Sequence, residues 1–203
     1  MNKVLIIILS SLFCVMAMAA GLEDVDKWAM LTVGKEDPYY IMPKEFLMQN
    51  SADRKTPYSF EKFNFRNGES ESNWEQRMHL MATNGKPDPN GNSVEVTKQL
   101  IADGIRRNCP NDYFQIQKEA VKDKKLAVLM GCRKFAANPN LGLVTYHFFI
   151  EGADSMYVVA REAKIGSFEN IPFSDTELDI WKAHLERTAI CAKDDVCIHK
   201  KNK

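Results

Sequence analysis

Cysteine and histidine can bind metals, and cysteine can form disulfides or act in redox chemistry. This 203-residue chain has five cysteines and four histidines. Cys14 lies in an apolar N-terminal run, which leaves four cysteines downstream: Cys109, Cys132, Cys191 and Cys197. A redox-active dithiol or a zinc site favours Cys-x-x-Cys spacing, which the sequence does not contain. The longer spacing between Cys191 and Cys197 favours a structural disulfide.

The histidines do not stand at the spacings of known metal sites. They are His79, His147, His184 and His199. Residues 88–92 resemble part of a calcium loop, but Ser93 stands where the turn glycine belongs and Gln99 stands where the bidentate acid belongs. No Gly-x-Ser-x-Gly elbow or glycine-rich phosphate loop is present. The sequence therefore predicts no catalytic residue, no metal site and no cofactor.

The N-terminal sequence predicts export. Residues 1–3 include Lys3, residues 4–15 form an apolar run, and Ala17 and Ala19 are the small residues that signal peptidase requires. The apolar run is too short to favour a membrane span. We therefore predict a cleaved signal peptide over residues 1–19, a periplasmic or secreted product, and no stable membrane span after cleavage.

Export makes the four remaining cysteines candidates for two disulfides, for which three connectivities exist. Cys109 ends a predicted helix and Cys132 ends a predicted strand, close enough in sequence to meet within a compact unit. Cys191 and Cys197 flank a short acidic loop. We predict the pairs Cys109–Cys132 and Cys191–Cys197.

Composition excludes some classes of partner. Lys plus Arg number 27 and Asp plus Glu also number 27, so the chain has no net charge with which to attract nucleic acid. The 45% hydrophobic fraction and the length indicate one domain of ordinary size.

Three apolar, β-branched and aromatic runs dominate the middle of the chain and predict an antiparallel meander. They span residues 126–132, 142–150 and 155–163 and are separated by turn residues. Further strands are predicted within residues 58–65 and 113–121. Residues 74–83 fit either a helix or a strand; a strand toward the end of the segment is favoured, with Arg77, His79 and Met81 on one face. The sequence thus predicts an α+β fold, with an antiparallel sheet of about five or six strands packed against two main helices.

Two capping-box patterns mark where these helices begin. Asn92 is followed by Glu95, and Ser174 is followed by Glu177. Residues 20–57 are expected to be an extended N-terminal segment, with a flexible link over residues 50–57. Residues 58–198 are expected to be a single α+β domain, and residues 199–203 a basic tail.

Several short blocks resemble a family of uncharacterised exported proteobacterial proteins. The blocks are Gly68 to Trp74, Asn108-Cys-Pro, Gly131-Cys132, Gly152 to Arg161, Trp181 and Ile190-Cys191. The resemblance implies an exported domain with a layout similar to the Mog1/PsbP-like α+β sandwich. It implies no catalytic residues, and fold likeness alone does not define function.

The leading functional hypothesis is a non-enzymatic accessory or binding domain. Its partner would be another envelope or secreted protein, or a small ligand. The candidate contact surface is aromatic and comprises Tyr58, Phe60, Phe63, Phe65 and Trp74; these side chains could instead belong to the core. The alternative function is a small extracytoplasmic hydrolase or enzyme inhibitor, which predicts a polar cleft containing titratable groups with shifted pKa values.

The disulfide framework gives the first testable prediction. Intact-mass measurement of the mature protein, with and without reductant, should show a non-reduced species about four hydrogens lighter, because each disulfide removes two. A deficit of two hydrogens would leave one predicted pair unformed, and no deficit would contradict both.

Overall fold

The computed structural model describes residues 28–30, 36–116 and 121–192, and it is an α+β structure. The small sheet has three strands, β1 (Trp28–Met30), β2 (Glu36–Ile41) and β10 (Ala189–Ala192), and the helices are α1 (Ser93–Asn108) and α2 (Asp175–Glu186). The large sheet has seven antiparallel strands: β3 (Phe46–Lys55), β4 (Ser59–Arg66), β5 (Gln76–Thr83), β6 (Tyr113–Ile116), β7 (Lys125–Cys132), β8 (Leu141–Glu151) and β9 (Met156–Gly166). The strand order is β3-β4-β5-β9-β8-β7-β6 in the large sheet and β1-β2-β10 in the small sheet.

The predicted meander forms the centre of the large sheet. Strands β7, β8 and β9 pair in sequence order, and each residue from Leu141 to Glu151 has a partner on β9. Most side chains of the three strands are buried, because the meander is covered on both faces. The near-continuous apolar runs in the sequence reflect this double coverage.

The number of strands differs from the expectation of five or six. The large sheet gains β3, which includes most of the segment predicted as a flexible link. Its C-terminal half is polar, and Ser51, Asp53, Arg54 and Lys55 are exposed. An edge strand is held by backbone hydrogen bonds to one neighbour and is protected from aggregation by charge, so it needs no apolar alternation. The polar composition of this segment therefore gave no indication of a strand.

Both helices begin where the capping patterns place them. The side chain of Asn92 accepts a hydrogen bond from the Glu95 amide at 3.0 Å. At α2, the Glu177 amide donates to the Ser174 hydroxyl at 3.3 Å, and the Ser174 amide donates to the Glu177 carboxylate at 2.8 Å. These bonds satisfy amides that have no partner within the helix.

The two helices bury opposite faces of the large sheet. On one face, Leu178, Trp181 and Leu185 of α2 join a core that also contains Tyr40 of β2. On the other face, α1 packs on β7, β8 and β9, with Val94 and Ala102 in a second core. We refer to these as the α2 face and the α1 face.

A disulfide joins α1 to the sheet. Cys109 is the residue that caps the C-terminus of α1, and Cys132 ends β7. Their sulfur atoms are 2.08 Å apart and both residues are fully buried. This is the predicted Cys109–Cys132 pair. The predicted Cys191–Cys197 pair, the signal peptide and the basic tail lie outside the described residues or involve side chains that are not described.

Arg161 carries a buried charge on the α2 face of β9. Its guanidinium lies 4.6 Å from the Trp181 ring centroid and 5.3 Å from that of Phe46. It donates hydrogen bonds to the side chains of Glu45 and Gln76, both at 3.1 Å. Burial lowers the pKa of Arg161 to about 10, and the group remains cationic at neutral pH.

No helix in the described part of the chain is long and apolar enough to cross a bilayer.

The disulfide should stabilise the fold by restricting the unfolded chain. Cys109 and Cys132 are separated by 23 positions, and closing a loop of that length is worth about 3 kcal/mol in the chain-entropy model. The double variant Cys109→Ser/Cys132→Ser should lose about that much unfolding free energy in urea titrations.

Reductant provides the control for this measurement. It should lower the unfolding midpoint of the wild-type protein by more than it lowers that of the double variant, because the variant keeps only the predicted Cys191–Cys197 pair. Equal stability of the two proteins under oxidising conditions would contradict the prediction.

Candidate functional site

Strands β4, β5 and β9 present a row of charged and aromatic side chains on the α1 face. Phe63 lies opposite His79, and His79 lies opposite Ala160. In the neighbouring row, Arg77 lies opposite Glu162. No described helix packs on β4 or β5 as α1 packs on the meander. This part of the sheet is therefore where functional side chains could meet a partner.

Four of these residues form a continuous series of ion pairs, which we call the ionic chain. The Nε of Arg77 lies 2.5 Å from Oε2 of Glu162, and Oε1 of Glu162 lies 3.2 Å from Nδ1 of His79. The Nε2 of His79 lies 3.6 Å from Oε2 of Glu61, an ion-pair distance rather than a hydrogen bond. The side chain of Glu162 is 8% exposed, whereas those of the other three are 18–19% exposed.

The pKa values of the ionic chain shift in the directions that keep it charged. Burial alone raises the pKa of Glu162, but the hydrogen bond and charge of His79 and the charge of Arg77 outweigh burial and lower it to about 2. Burial lowers the pKa of His79, yet Glu162 and Glu61 raise it overall. The interaction with His79 lowers the pKa of Glu61, although burial acts in the opposite direction.

His147 lies in the same row of the sheet, on the far side of Ala160 from His79. It is 4% exposed, and its Nδ1 has no hydrogen-bond partner among the described residues. Burial, with a smaller contribution from the charge of His79, lowers the pKa of His147 to about 4 despite the opposing effect of Glu162. The His147 imidazole is therefore neutral at pH 7.

Cationic side chains cover the aromatic rings beside the ionic chain. The guanidinium of Arg77 lies between two rings, 4.3 Å from the Phe63 centroid and 4.0 Å from the Trp74 centroid. Arg54 lies 5.2 Å from the Phe63 ring, and Lys164 lies 4.6 Å from the Trp74 ring. We call this arrangement the cation–aromatic stack. Such contacts hold the long side chains in place over the sheet.

The predicted aromatic surface is divided by the pleat of β4. Phe63 and Phe65 lie on the α1 face and are 3% and 2% exposed, whereas Phe60 lies on the opposite face against Ala82 and Tyr157. Tyr58, in the turn before β4, is 82% exposed. Successive strand residues alternate between faces, so residues 60 and 63 cannot share one. Trp74, from the loop before β5, is the predicted aromatic residue that joins Phe63 in the stack.

Sequence reasoning assigned no role to the ionic chain. The sequence signal that could have indicated it is Glu162, which follows Arg161 within an otherwise apolar run, since a buried acid requires a partner. Arg77 and His79 were expected on one strand face, but only the pairing of β5 with β9 brings them to Glu162.

The two carboxylates of the ionic chain are poorly suited to accept a proton near neutral pH. Glu162 and Glu61 are made weaker bases by their cationic partners, and a general base near neutral pH requires the opposite shift. Among the residues that the structure describes, no group of three or more His, Cys, Asp or Glu side chains could hold a metal ion.

Comparison with known proteins adds no family assignment: no protein-family model and no curated protein matches this chain.

Glu162 should contribute strongly to stability at neutral pH. Its folded-state pKa of about 2 lies below the ordinary value of 4.5, so its contribution is present above pH 4.5 and is lost as the pH falls toward 2. Glu162→Gln should lower the unfolding free energy at pH 7 by up to about 3 kcal/mol. Chemical denaturation at pH 7 and at pH 3 measures the difference, which should be smaller at pH 3.

The same variant should lower the pKa of His79, because one of its two acidic partners is removed. NMR titration of the imidazole measures this pKa, and Glu71→Gln is the control, since Glu71 is 57% exposed and pairs with Arg54. An unchanged His79 pKa in Glu162→Gln would show that the ionic chain does not form.

Proposed function

We propose that this protein is an exported, disulfide-stapled binding domain that recognises another envelope or secreted protein and has no enzymatic activity. The signal-peptide pattern at residues 1–19 supports export. The Cys109–Cys132 disulfide supports an oxidising compartment, either the periplasm or the exterior of the cell. The resemblance of several sequence blocks to exported proteins, and the α+β fold that the resemblance implies, are consistent with the same proposal.

The observation that carries this proposal is the cation–aromatic stack on the part of the α1 face that α1 leaves uncovered. Arginine, tryptophan and tyrosine are the residues most enriched where binding energy concentrates in protein interfaces. The Arg77 guanidinium already lies on the Trp74 ring here, so a partner would bind these side chains in an arrangement that the free domain already has. Exposed Tyr58 lies in the β3–β4 turn, at the other end of β4 from Trp74, and would mark how far a partner extends along the sheet.

Charge pairing on this surface favours a protein partner over a polyanion. Arg54 is paired with Glu71 at 2.5 Å, and Arg77 is paired with Glu162 at the same distance. These cations are already neutralised, and phosphate recognition depends on cations that can release counterions. A protein surface can instead use the flat aromatic and aliphatic parts of these side chains.

Depressed carboxylate pKa values make the alternative, a hydrolase, less well supported than binding. The ionic chain has shifted pKa values, as that alternative expects, but Glu162 and Glu61 shift downward through ion pairing. Such shifts are typical of structural charge networks as well as of catalytic sites. We therefore assign the ionic chain the role of holding the stack.

Site-specific photo-crosslinking in the cells that make the protein tests the contact surface. A benzoyl-substituted phenylalanine in place of Tyr58 should give one discrete adduct with another exported protein. The same group in place of Leu100, which is 61% exposed on α1, is the matched control and should not give that adduct.

A second variant tests whether the stack is required for the contact. Trp74→Ala should abolish the adduct from position 58 while the thermal unfolding midpoint shows that the domain remains folded. The proposal is wrong if positions 58 and 100 give the same adducts, or if neither gives one.

A further inference from the structure

A cavity of about 340 Å³ lies at the opposite end of the fold, outside the cation–aromatic stack. It is open to solvent and is lined by the turn between Lys122 and Lys125, the loop that begins at Glu151, and residues around Thr188. A second cavity of about 260 Å³ shares Asp123 and Lys125 with the first. The two cavities therefore adjoin at the start of β7, and we refer to the first of them as the groove.

The turn beside this groove has an uncommon backbone. Asp123 and Lys124 have φ angles of 49° and 61°, in the left-handed region. Backbone hydrogen bonds of 3.0 and 2.8 Å join Lys122 and Lys125 on either side, as in a two-residue hairpin turn. Glycine, asparagine and aspartate usually occupy such positions, so Asp123 suits the turn and Lys124 is its uncommon residue. A lysine in the left-handed region costs free energy, and strain of this kind is concentrated at functional sites.

One acidic side chain of the groove is already neutralised. Glu151 Oε1 lies 3.0 Å from Nζ of Lys86 and 3.2 Å from Nζ of Lys124. The backbone amide of Glu151 also donates to the carbonyl of Lys124 at 2.9 Å. These contacts fix the loop and the turn relative to each other and form one rigid wall.

Other charges of the groove have no ionic partner within the described residues. Glu36 accepts hydrogen bonds from the Ala153 amide at 2.8 Å and from the Tyr157 hydroxyl at 3.4 Å, but no described cation pairs with it. The side chains of Asp123 and Lys125 likewise form no ion pair or hydrogen bond in the described part of the chain. Two carboxylates and one ammonium group therefore face one small volume.

Thr188 supplies a polar group that lacks a partner. It lines the cavity and is 3% exposed, and its hydroxyl has no hydrogen-bond partner among the described residues. An unsatisfied buried hydroxyl is costly unless water or a ligand completes it. Ile150 and Ile190 add an apolar wall next to it.

We propose that this groove binds a small zwitterion with an apolar side chain, of the chemical class of a free α-amino acid. Glu36 and Asp123 bind its ammonium group, Lys125 binds its carboxylate, and Thr188 completes the hydrogen bonding. Ile150 and Ile190 contact its side chain. This site is independent of the proposed protein-binding surface, and each can fail without the other.

Calorimetric titration of the full mature protein with L-leucine tests the proposal. Leucine should bind at one saturable site, whereas N-acetyl-leucine and leucine amide, which each lack one of the two charges, should bind at least about tenfold more weakly. Equal binding of leucine amide would overturn the zwitterion assignment, and the absence of saturable leucine binding would overturn the site.

Variants locate the binding. Glu36→Gln keeps the shape and the acceptor for the Ala153 amide and should weaken leucine binding about tenfold or more. Lys125→Met changes an exposed side chain and should also weaken leucine binding about tenfold or more. Glu71→Gln, on the opposite surface, is the control and should leave the affinity unchanged. Full affinity in both groove variants would overturn the proposal.

Discussion

Two opposite charges occupy adjacent positions on the central strand of the sheet, and each must be paired on its own buried face. Arg161 points into the α2 face, where Glu45 and Gln76 accept its hydrogen bonds. Glu162 points into the α1 face, where Arg77 and His79 neutralise it. An unpaired buried charge costs several kcal/mol, about as much as a small domain's whole margin of stability.

This requirement defines how β5 pairs with β9. Gln76 and Arg77 are consecutive on β5, so they point to opposite faces and meet Arg161 and Glu162 respectively. Shifting β9 by one residue would place Arg161 on the α1 face and Glu162 on the α2 face, opposite the wrong partners. Apolar pairs tolerate such shifts far better than charges do. The polar residues of this strand pair therefore specify one register, and the apolar residues around them supply the burial.

Features set by neighbouring residues could be predicted from the sequence, and features set by distant residues could not. The meander, both helix starts and the Cys109–Cys132 pair depend on short segments whose patterns are complete in themselves. The position of β3 depends on backbone bonding to β4, to which its polar side chains give no clue. The small sheet pairs β2 with β10, which is formed by residues about 150 positions away.

The site shows the same division between local and distant information. Aromatic residues of β4 were visible in the sequence, but three positions separate Phe60 from Phe63 and the pleat sends them to opposite faces. The ionic chain draws on β4, β5 and β9, so its members are up to 101 positions apart in the sequence, the separation of Glu61 from Glu162. No local pattern contains that information.

Partial coverage of the α1 face by α1 has a consequence for how the domain opens. A disulfide and a second core hold α1 on β7, β8 and β9, whereas β3 is an edge strand whose C-terminal half is solvated. Backbone amides of the meander will exchange with solvent deuterium only in global unfolding. Those of β3 will exchange through local opening, which requires less free energy. The domain thus has a slowly exchanging half and a rapidly exchanging half, and the cation–aromatic stack lies across the boundary between them.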